Sequence, residues 1–103
     1  MAVMPGAVIN ADCTIGDLAI INTLASVDHD GRIGNAAHIA PHCALAGNVS
    51  VGERSFLGVG SKVIPEIEIG ADVVAAAGSV IVADIAPNSR VAGVPAKTMH
   101  RRT

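Results

Sequence analysis

The sequence predicts an all-β chain that winds as a parallel β-helix of hexapeptide repeats, and three periodic features support that prediction. An aliphatic side chain recurs at every sixth position, a small side chain stands two positions before most of them, and a glycine recurs every eighteen residues. A period of six fits neither an α-helix nor one long strand, but it fits a short strand followed by a corner.

The aliphatic series begins at Val3 and keeps its spacing as far as Ile69, then weakens at Ala75 and recovers at Ile81. Its other members are Ile9, Ile15, Ile21, Val27, Ile33, Ile39, Leu45, Val51, Leu57 and Val63. Valine and isoleucine predominate, and β-strands favour such β-branched side chains. We therefore expect each short strand to point one aliphatic side chain inward.

Small side chains precede these aliphatic residues because a narrow coil leaves little room beside them. They are Ala7, Cys13, Ala19, Ala25, Gly31, Ala37, Cys43, Ser55 and Ser61. The same lack of room explains why a chain that is 50% hydrophobic has one aromatic residue, Phe56.

Four glycines define the length of one coil. Gly16, Gly34, Gly52 and Gly70 each follow an inward aliphatic residue at intervals of eighteen. Since eighteen is three hexads, a coil has three sides and each glycine returns to the same corner. We expect these glycines to supply the positive φ that tight corners require. The repeat thus predicts a triangular prism of about five coils.

The coil length also separates the two cysteines. Cys13 and Cys43 are thirty residues apart, which is not a multiple of eighteen. We expect them on different sides of the prism, where no disulfide can join them, and we interpret both as packing residues.

The prism is predicted to occupy residues 1–83, and a C-terminal tail or flap residues 84–103. Asp84, Pro87 and Asn88 interrupt the repeat at this boundary. The tail contains the basic residues Arg90, Lys97, Arg101 and Arg102. It is interpreted either as a solvated cap on the last coil or as a flap whose cations bind a phosphate-rich ligand.

Composition argues against several classes of function. A chain of 103 residues holds one domain at most, and a net charge of −2 gives no general attraction to nucleic acid or an anionic membrane. No stretch is long and apolar enough to span a bilayer, and the N-terminus lacks the pattern of a secretory signal. We expect a cytoplasmic protein with neither a nucleic-acid nor a membrane partner.

One corner carries candidate catalytic chemistry. His29 stands between Asp28 and Asp30, outside the predicted core. Carboxylates can hold a histidine in one tautomer and keep it basic enough to remove a proton at neutral pH. The alternative is ordinary turn composition, in which aspartate is common.

The coil arithmetic places two further residues relative to His29. Gly47 lies eighteen residues later, hence directly above His29, where its backbone amide can stabilise a developing oxyanion. His38 lies nine residues from His29, half a coil away, so one site can use both only if a neighbouring subunit supplies one of them. A cyclic trimer would do so. The alternatives are a surface strand residue for His38 and a corner residue for His42.

Five features occur together in the chain: the hexad ladder and the motifs "VDHDGRIG", "HIAPHCALAGNVSVG", "AAGSV" and "VAGVPAK". Together they resemble the left-handed β-helix acyltransferases, and among them the sugar acetyltransferases of the sialic-acid and bacillosamine pathways. The resemblance implies a left-handed coil, a homotrimer with sites between adjacent prisms, and acetyl-CoA as the co-substrate.

The resemblance also implies a role for individual residues. His29 would be the general base, and Asp30 would orient it. His38 and the Gly47 amide would lie near the thioester, with Asn22 near the same site. The residues that would bind the cofactor along the upper coils are Val59, Ala77 and Gly78, together with Lys97 of the terminal motif. His29 would take a proton from an acceptor amine or hydroxyl, which attacks the thioester without a covalent enzyme intermediate.

The sequence departs from this family in two respects. An N-terminal α/β domain that binds the sugar nucleotide is expected to be absent, because Met1 leads directly into the repeat. His42 stands where a small residue is expected. One alternative is a zinc enzyme of the γ-carbonic anhydrase type with a site between subunits, in which His38, His42 and a His29 from elsewhere are the ligands. Another is a repeat module without catalytic activity.

Overall fold

A computed structural model describes residues 1–99, which form a parallel β-helix without any α-helix in that range. The strands are β1 (Ala2–Val3), β2 (Val8–Ile9), β3 (Thr14–Ile15), β4 (Ile20–Ile21), β5 (Ser26–Val27), β6 (Arg32–Ile33), β7 (His38–Ile39), β8 (Ala44–Leu45), β9 (Ser50–Val51), β10 (Phe56–Leu57), β11 (Lys62–Val63), β12 (Glu68–Ile69), β13 (Val74–Ala75), β14 (Val80–Ile81), β15 (Arg90–Ala92) and β16 (Lys97–Thr98). Within residues 1–99, no helix has the length and apolar character needed to cross a membrane.

Three sheets form the sides of the prism. Sheet A contains β1-β4-β7-β10-β13-β15-β16, sheet B contains β2-β5-β8-β11-β14, and sheet C contains β3-β6-β9-β12. Neighbouring strands up to β14 are parallel and pair residues eighteen apart, as in Ile21 with Ile39 and Val27 with Leu45. The predicted fold class, with three hexads in each coil, is confirmed.

The periodic aliphatic residues form the core. Ile21, Ile39 and Leu57 are fully buried, and so are the small residues Ala19 and Ala37 that precede two of them. Burying an aliphatic side chain of this size stabilises a fold by about 1.5–3 kcal/mol. The prediction of one inward side chain per strand, with small residues beside it, is therefore correct.

The structural role predicted for Gly16, Gly34, Gly52 and Gly70, which was to supply positive φ at a corner, is wrong. Positive φ occurs at every sixth residue from Gly6 to Gly78, mostly at non-glycine residues such as Asp30 (φ 59°), and the four predicted glycines are not among them. They are needed instead because the backbones of successive coils approach closely at this corner. A Cβ atom on Gly34 would lie 2.6 Å from the Glu53 backbone nitrogen.

The two cysteines are free, as predicted. Cys13 precedes a strand of sheet C, whereas Cys43 precedes a strand of sheet B. The buried Cys43 thiol donates to the Gly58 carbonyl at 3.2 Å, and burial raises the pKa of this thiol. Its position and contacts are those of a packing residue.

The register changes near the predicted boundary at residue 83. Ile85 bridges Ile69, and Val91 of β15 pairs with Ala75, so the offset is sixteen residues in place of eighteen. The antiparallel strand β16 then pairs with β15. Arg90 and Lys97 lie in these two strands, whereas Arg101 and Arg102 lie outside the described residues.

Candidate functional site

His29 projects from the corner between sheets B and C. The corner is fixed by two backbone hydrogen bonds: the Asp30 N–H donates to the Ala11 carbonyl, and the Asn48 N–H donates to the His29 carbonyl at 2.8 Å. The His29 side chain is 62% exposed. The imidazole is therefore held at its base by the coils below and above, and its ring is open to a ligand.

The His29 ring contacts the next carboxylate along the chain. Its Nδ1 lies 3.1 Å from Asp30 Oδ2. A carboxylate accepts hydrogen bonds, so this contact places the ring proton on Nδ1 and leaves the Nε2 lone pair free to accept a proton. Both side chains are more than half exposed, so the contact orients the ring and adds little stability.

Gly47 forms the surface on which the His29 ring lies. A Cβ atom on Gly47 would be 2.5 Å from His29 Nε2 and 2.6 Å from Cε1. Within residues 1–99, the Gly47 N–H donates to no backbone carbonyl. Gly47 lies directly above His29, as the coil length predicts. The short distances also show that a side chain at position 47 would displace the His29 ring.

Asn10, which the sequence analysis missed, is joined to His29 through Asp28. Asp28 Oδ1 accepts from the His29 backbone N–H at 2.7 Å and from Asn10 Nδ2 at 2.9 Å. The hydrogen bond from Asn10, followed by that from the His29 backbone, lowers the pKa of Asp28. The available signal was the spacing, because Asn10 precedes Asp28 by one coil of eighteen residues.

Asn22 and His38 form a second polar group. Asn22 Oδ1 accepts from the Thr23 N–H at 2.7 Å, which turns its Nδ2 toward His38 Nε2 at 3.1 Å. The His38 Nε2 is then an acceptor and the ring proton is on Nδ1. The ring also packs edge-on against Phe56, with centroids 5.1 Å apart.

The remaining predicted cofactor residues follow the corner between sheets A and B, above Asn22. Val59 and Ala77 are exposed there, and the Gly78 N–H donates to the Val59 carbonyl at 2.7 Å. Gly60 and Gly78 have positive φ, and a Cβ atom on either would meet nothing within 4 Å. This stretch is an open strip of backbone beside exposed apolar surface.

Two lysines lie near this strip, Lys62 at its lower coil and Lys97 at its upper end. Lys62, which the sequence analysis missed, donates from Nζ to the carbonyls of His42 and Gly60 at 2.8 and 3.0 Å. Lys97 lies in β16, and the backbone N–H of its neighbour Ala96 donates to the Val80 carbonyl. Both amino groups belong to exposed residues.

The structure thus separates the candidate residues into two regions of one chain. His29, Asp30 and Gly47 meet at the corner between sheets B and C, whereas His38 lies on the outer surface of sheet A, across the prism. Within residues 1–99, no three histidine, cysteine or acidic residues are close enough together to hold a metal ion. Residues 1–99 of a single chain therefore do not form a zinc site of three histidines.

Comparison with known proteins finds no matching family model. Among solved structures, the chain is similar to PerB from Caulobacter crescentus in complex with CoA and GDP-perosamine, with 54% identity, a TM-score of 0.89, and coverage of 96% of this chain and 51% of that one. It is also similar to the acetyltransferase domain of PglB from Neisseria gonorrhoeae, with 35% identity, a TM-score of 0.78, and coverage of 95% and 54%.

A curated relative is the acyl-[acyl-carrier-protein]–UDP-N-acetylglucosamine O-acyltransferase of Pseudomonas putida. It is 34% identical over 87 residues, which are 84% of this chain and 34% of the relative. The chain therefore spans about a third of the length of this relative and about half of the two structural ones. These likenesses confirm the left-handed coil that was expected from the motifs.

Proposed function

We propose that this chain, which has the β-helix of the hexapeptide-repeat acyltransferase family, transfers an acetyl group from acetyl-CoA to an amine or hydroxyl of a sugar-type acceptor. The observation that carries the proposal is the exposed His29 ring, whose Nδ1 faces Asp30 at 3.1 Å and whose Nε2 is free. PerB, which is 54% identical, is described with CoA and a nucleotide sugar, which supports this substrate class.

In the proposed reaction, His29 Nε2 removes a proton from the acceptor as the acceptor atom attacks the thioester carbonyl. A bond forms from carbon to the acceptor nitrogen or oxygen, and the carbon–sulfur bond breaks. The protonated imidazole then returns its proton to the departing thiolate. Asp30 keeps the ring in the required tautomer, and the Gly47 N–H stabilises the oxyanion.

The strip between sheets A and B fits acetyl-CoA. Its exposed apolar residue Val59 and the open backbone at Gly60 and Gly78 leave room for an extended pantetheine chain. Lys62 and Lys97 supply the positive charge that phosphates require. Asn22 and His38, lower on the same side, would then contact the thioester end.

In a homotrimer, the strip of one subunit would lie beside His29 of a neighbouring subunit. The outward side chains of sheet A include Ile20, Phe56 and Val74, whereas those of sheet C include Arg32 and Glu68. The apolar face is the one suited to contact with a neighbouring prism. Packing sheet A of one subunit beside sheet B of the next brings His29 of one toward His38 of the other.

Replacing His29 with alanine tests the proposal. Loss of a general base should lower kcat by about 10²–10⁴-fold, while CoA continues to raise the melting temperature as in the wild type. Glu68→Gln, an exposed change on sheet C, is the matched control and should keep wild-type turnover. Unchanged turnover in His29→Ala would refute the role of His29, and a wild-type protein that CoA does not stabilise would favour a module without catalytic activity.

A further inference from the structure

A chain of hydrogen bonds leads from the coil below to the backbone of His29. Asn10 Nδ2 donates to Asp28 Oδ1 at 2.9 Å, and the same oxygen accepts from the His29 N–H at 2.7 Å. The parallel ladder fixes the starting point, because Ile9 pairs with Val27 and the Asn10 N–H donates to the Val27 carbonyl. The Asn10 amide is thus held directly beneath the Asp28 carboxylate.

The fold itself does not require polar side chains at these positions. In the coils above, the positions equivalent to Asn10 and Asp28 are occupied by Ala46, Ile64 and Val82. At the other two corners the equivalent position is glycine or an apolar residue from residue 4 to residue 76, with Asn22 as the exception. Between residues 4 and 82, polar residues therefore occur at this position only beside the two candidate site regions.

The contact has a direct effect on how the imidazole is presented. Asp28 Oδ1 accepts the hydrogen bond of the His29 N–H, so it fixes the peptide from which the ring projects. The ring must also remain on Gly47 and against Asp30. A displacement of about 1 Å in a reacting group can lower turnover by about 10²-fold.

We propose that Asn10 and Asp28 are positioning residues for His29: Asn10 holds the Asp28 carboxylate in place, and Asp28 fixes the backbone of the catalytic histidine. The inference rests on the proposed function of His29. A pair that only stabilised the turn would affect folding without a selective effect on kcat. The kinetic split between kcat and KM therefore separates the two roles.

Exchange of the two side chains provides the test. Asn10→Asp places two carboxylates at hydrogen-bonding distance, and their repulsion should lower kcat by about 10-fold or more while KM for acetyl-CoA stays within about two-fold. Adding Asp28→Asn reverses the roles: the new carboxylate accepts, the new amide donates, and the amide oxygen still accepts from the His29 N–H. The double variant should recover most of the wild-type kcat.

The outcome is decided by kcat, KM and melting temperature of both variants, with Asn10→Ala as a second single variant that removes the contact without repulsion. Wild-type kcat in both single variants, or a folded double variant that stays as impaired as Asn10→Asp, would overturn the proposal. If Asn10→Asp does not fold, a wild-type kcat in Asn10→Ala overturns it. An active His29→Ala would refute the proposed function instead, so the two failures are distinguishable.

Discussion

Replacing Gly47 with alanine would place a methyl group against the His29 imidazole. The new Cβ atom would lie 2.5 Å from His29 Nε2, whereas ordinary van der Waals contact begins near 3.4 Å. The ring is the free end of an exposed side chain, so it can move away by about 0.9 Å without disturbing the core. The perturbation therefore acts on the geometry of the base and leaves the packing of the prism intact.

A shift of this size predicts a loss of about 10²-fold in kcat with little change in melting temperature. Gly34→Ala is the matched comparison, because its Cβ atom would lie 2.6 Å from backbone at Glu53, which cannot rotate away. That variant should be destabilised by about 1–3 kcal/mol. Steady-state kinetics and thermal denaturation of both variants provide the test. Wild-type kcat in folded Gly47→Ala would refute the seating of His29 on Gly47.

Two further predictions concern charge and packing. The pKa of Asp28 is lowered chiefly by the hydrogen bond from Asn10. Asn10→Ala should therefore raise this pKa toward the ordinary value, as measured by ¹³C NMR titration of the carboxyl group. An unchanged titration midpoint of Asp28 would contradict the contact. The pKa of Asp28 is lower in the folded state than in the unfolded state. The stabilisation of the fold by this contact is therefore present above the ordinary aspartate pKa, and it is lost as pH falls through the pKa of the folded state. Leu57→Ala, at a fully buried position, should lower the free energy of unfolding by about 2–5 kcal/mol in denaturant titration, and a loss below about 1 kcal/mol would contradict its place in the core.

The periods of six and eighteen were sufficient to predict the three-sided coil and its core, because each inward residue has the same environment in every coil. The left hand of the coil was implied by the family resemblance and not by the periods. The structural role of the four glycines spaced by eighteen residues was not predictable in the same way. Corners with positive φ accept Asp30 and His42, whereas Gly34 is required by the approach of another coil's backbone. That distance depends on how coils stack, and a single sequence does not report it.

The candidate site was predictable in outline for the same reason. The spacing placed Gly47 over His29 and His38 across the prism, and both positions agree with the structure. Asn10 escaped notice because an exposed asparagine at a turn is ordinary composition. Its spacing of one coil from Asp28 was the available signal, and the hydrogen bond to Asp28 gives that spacing its meaning. The tautomers of His29 and His38 likewise depend on contacts that spacing cannot supply.

Complementation between two inactive variants tests the shared site most directly. His29→Ala and His38→Ala remove groups that lie on opposite sides of one prism, and each alone should have little turnover. When the two are co-expressed in equal amounts, a cyclic trimer with sites between subunits should regain about a quarter of wild-type activity, because that share of interfaces has both histidines. A mixed protein no more active than either variant would contradict a site built from two subunits.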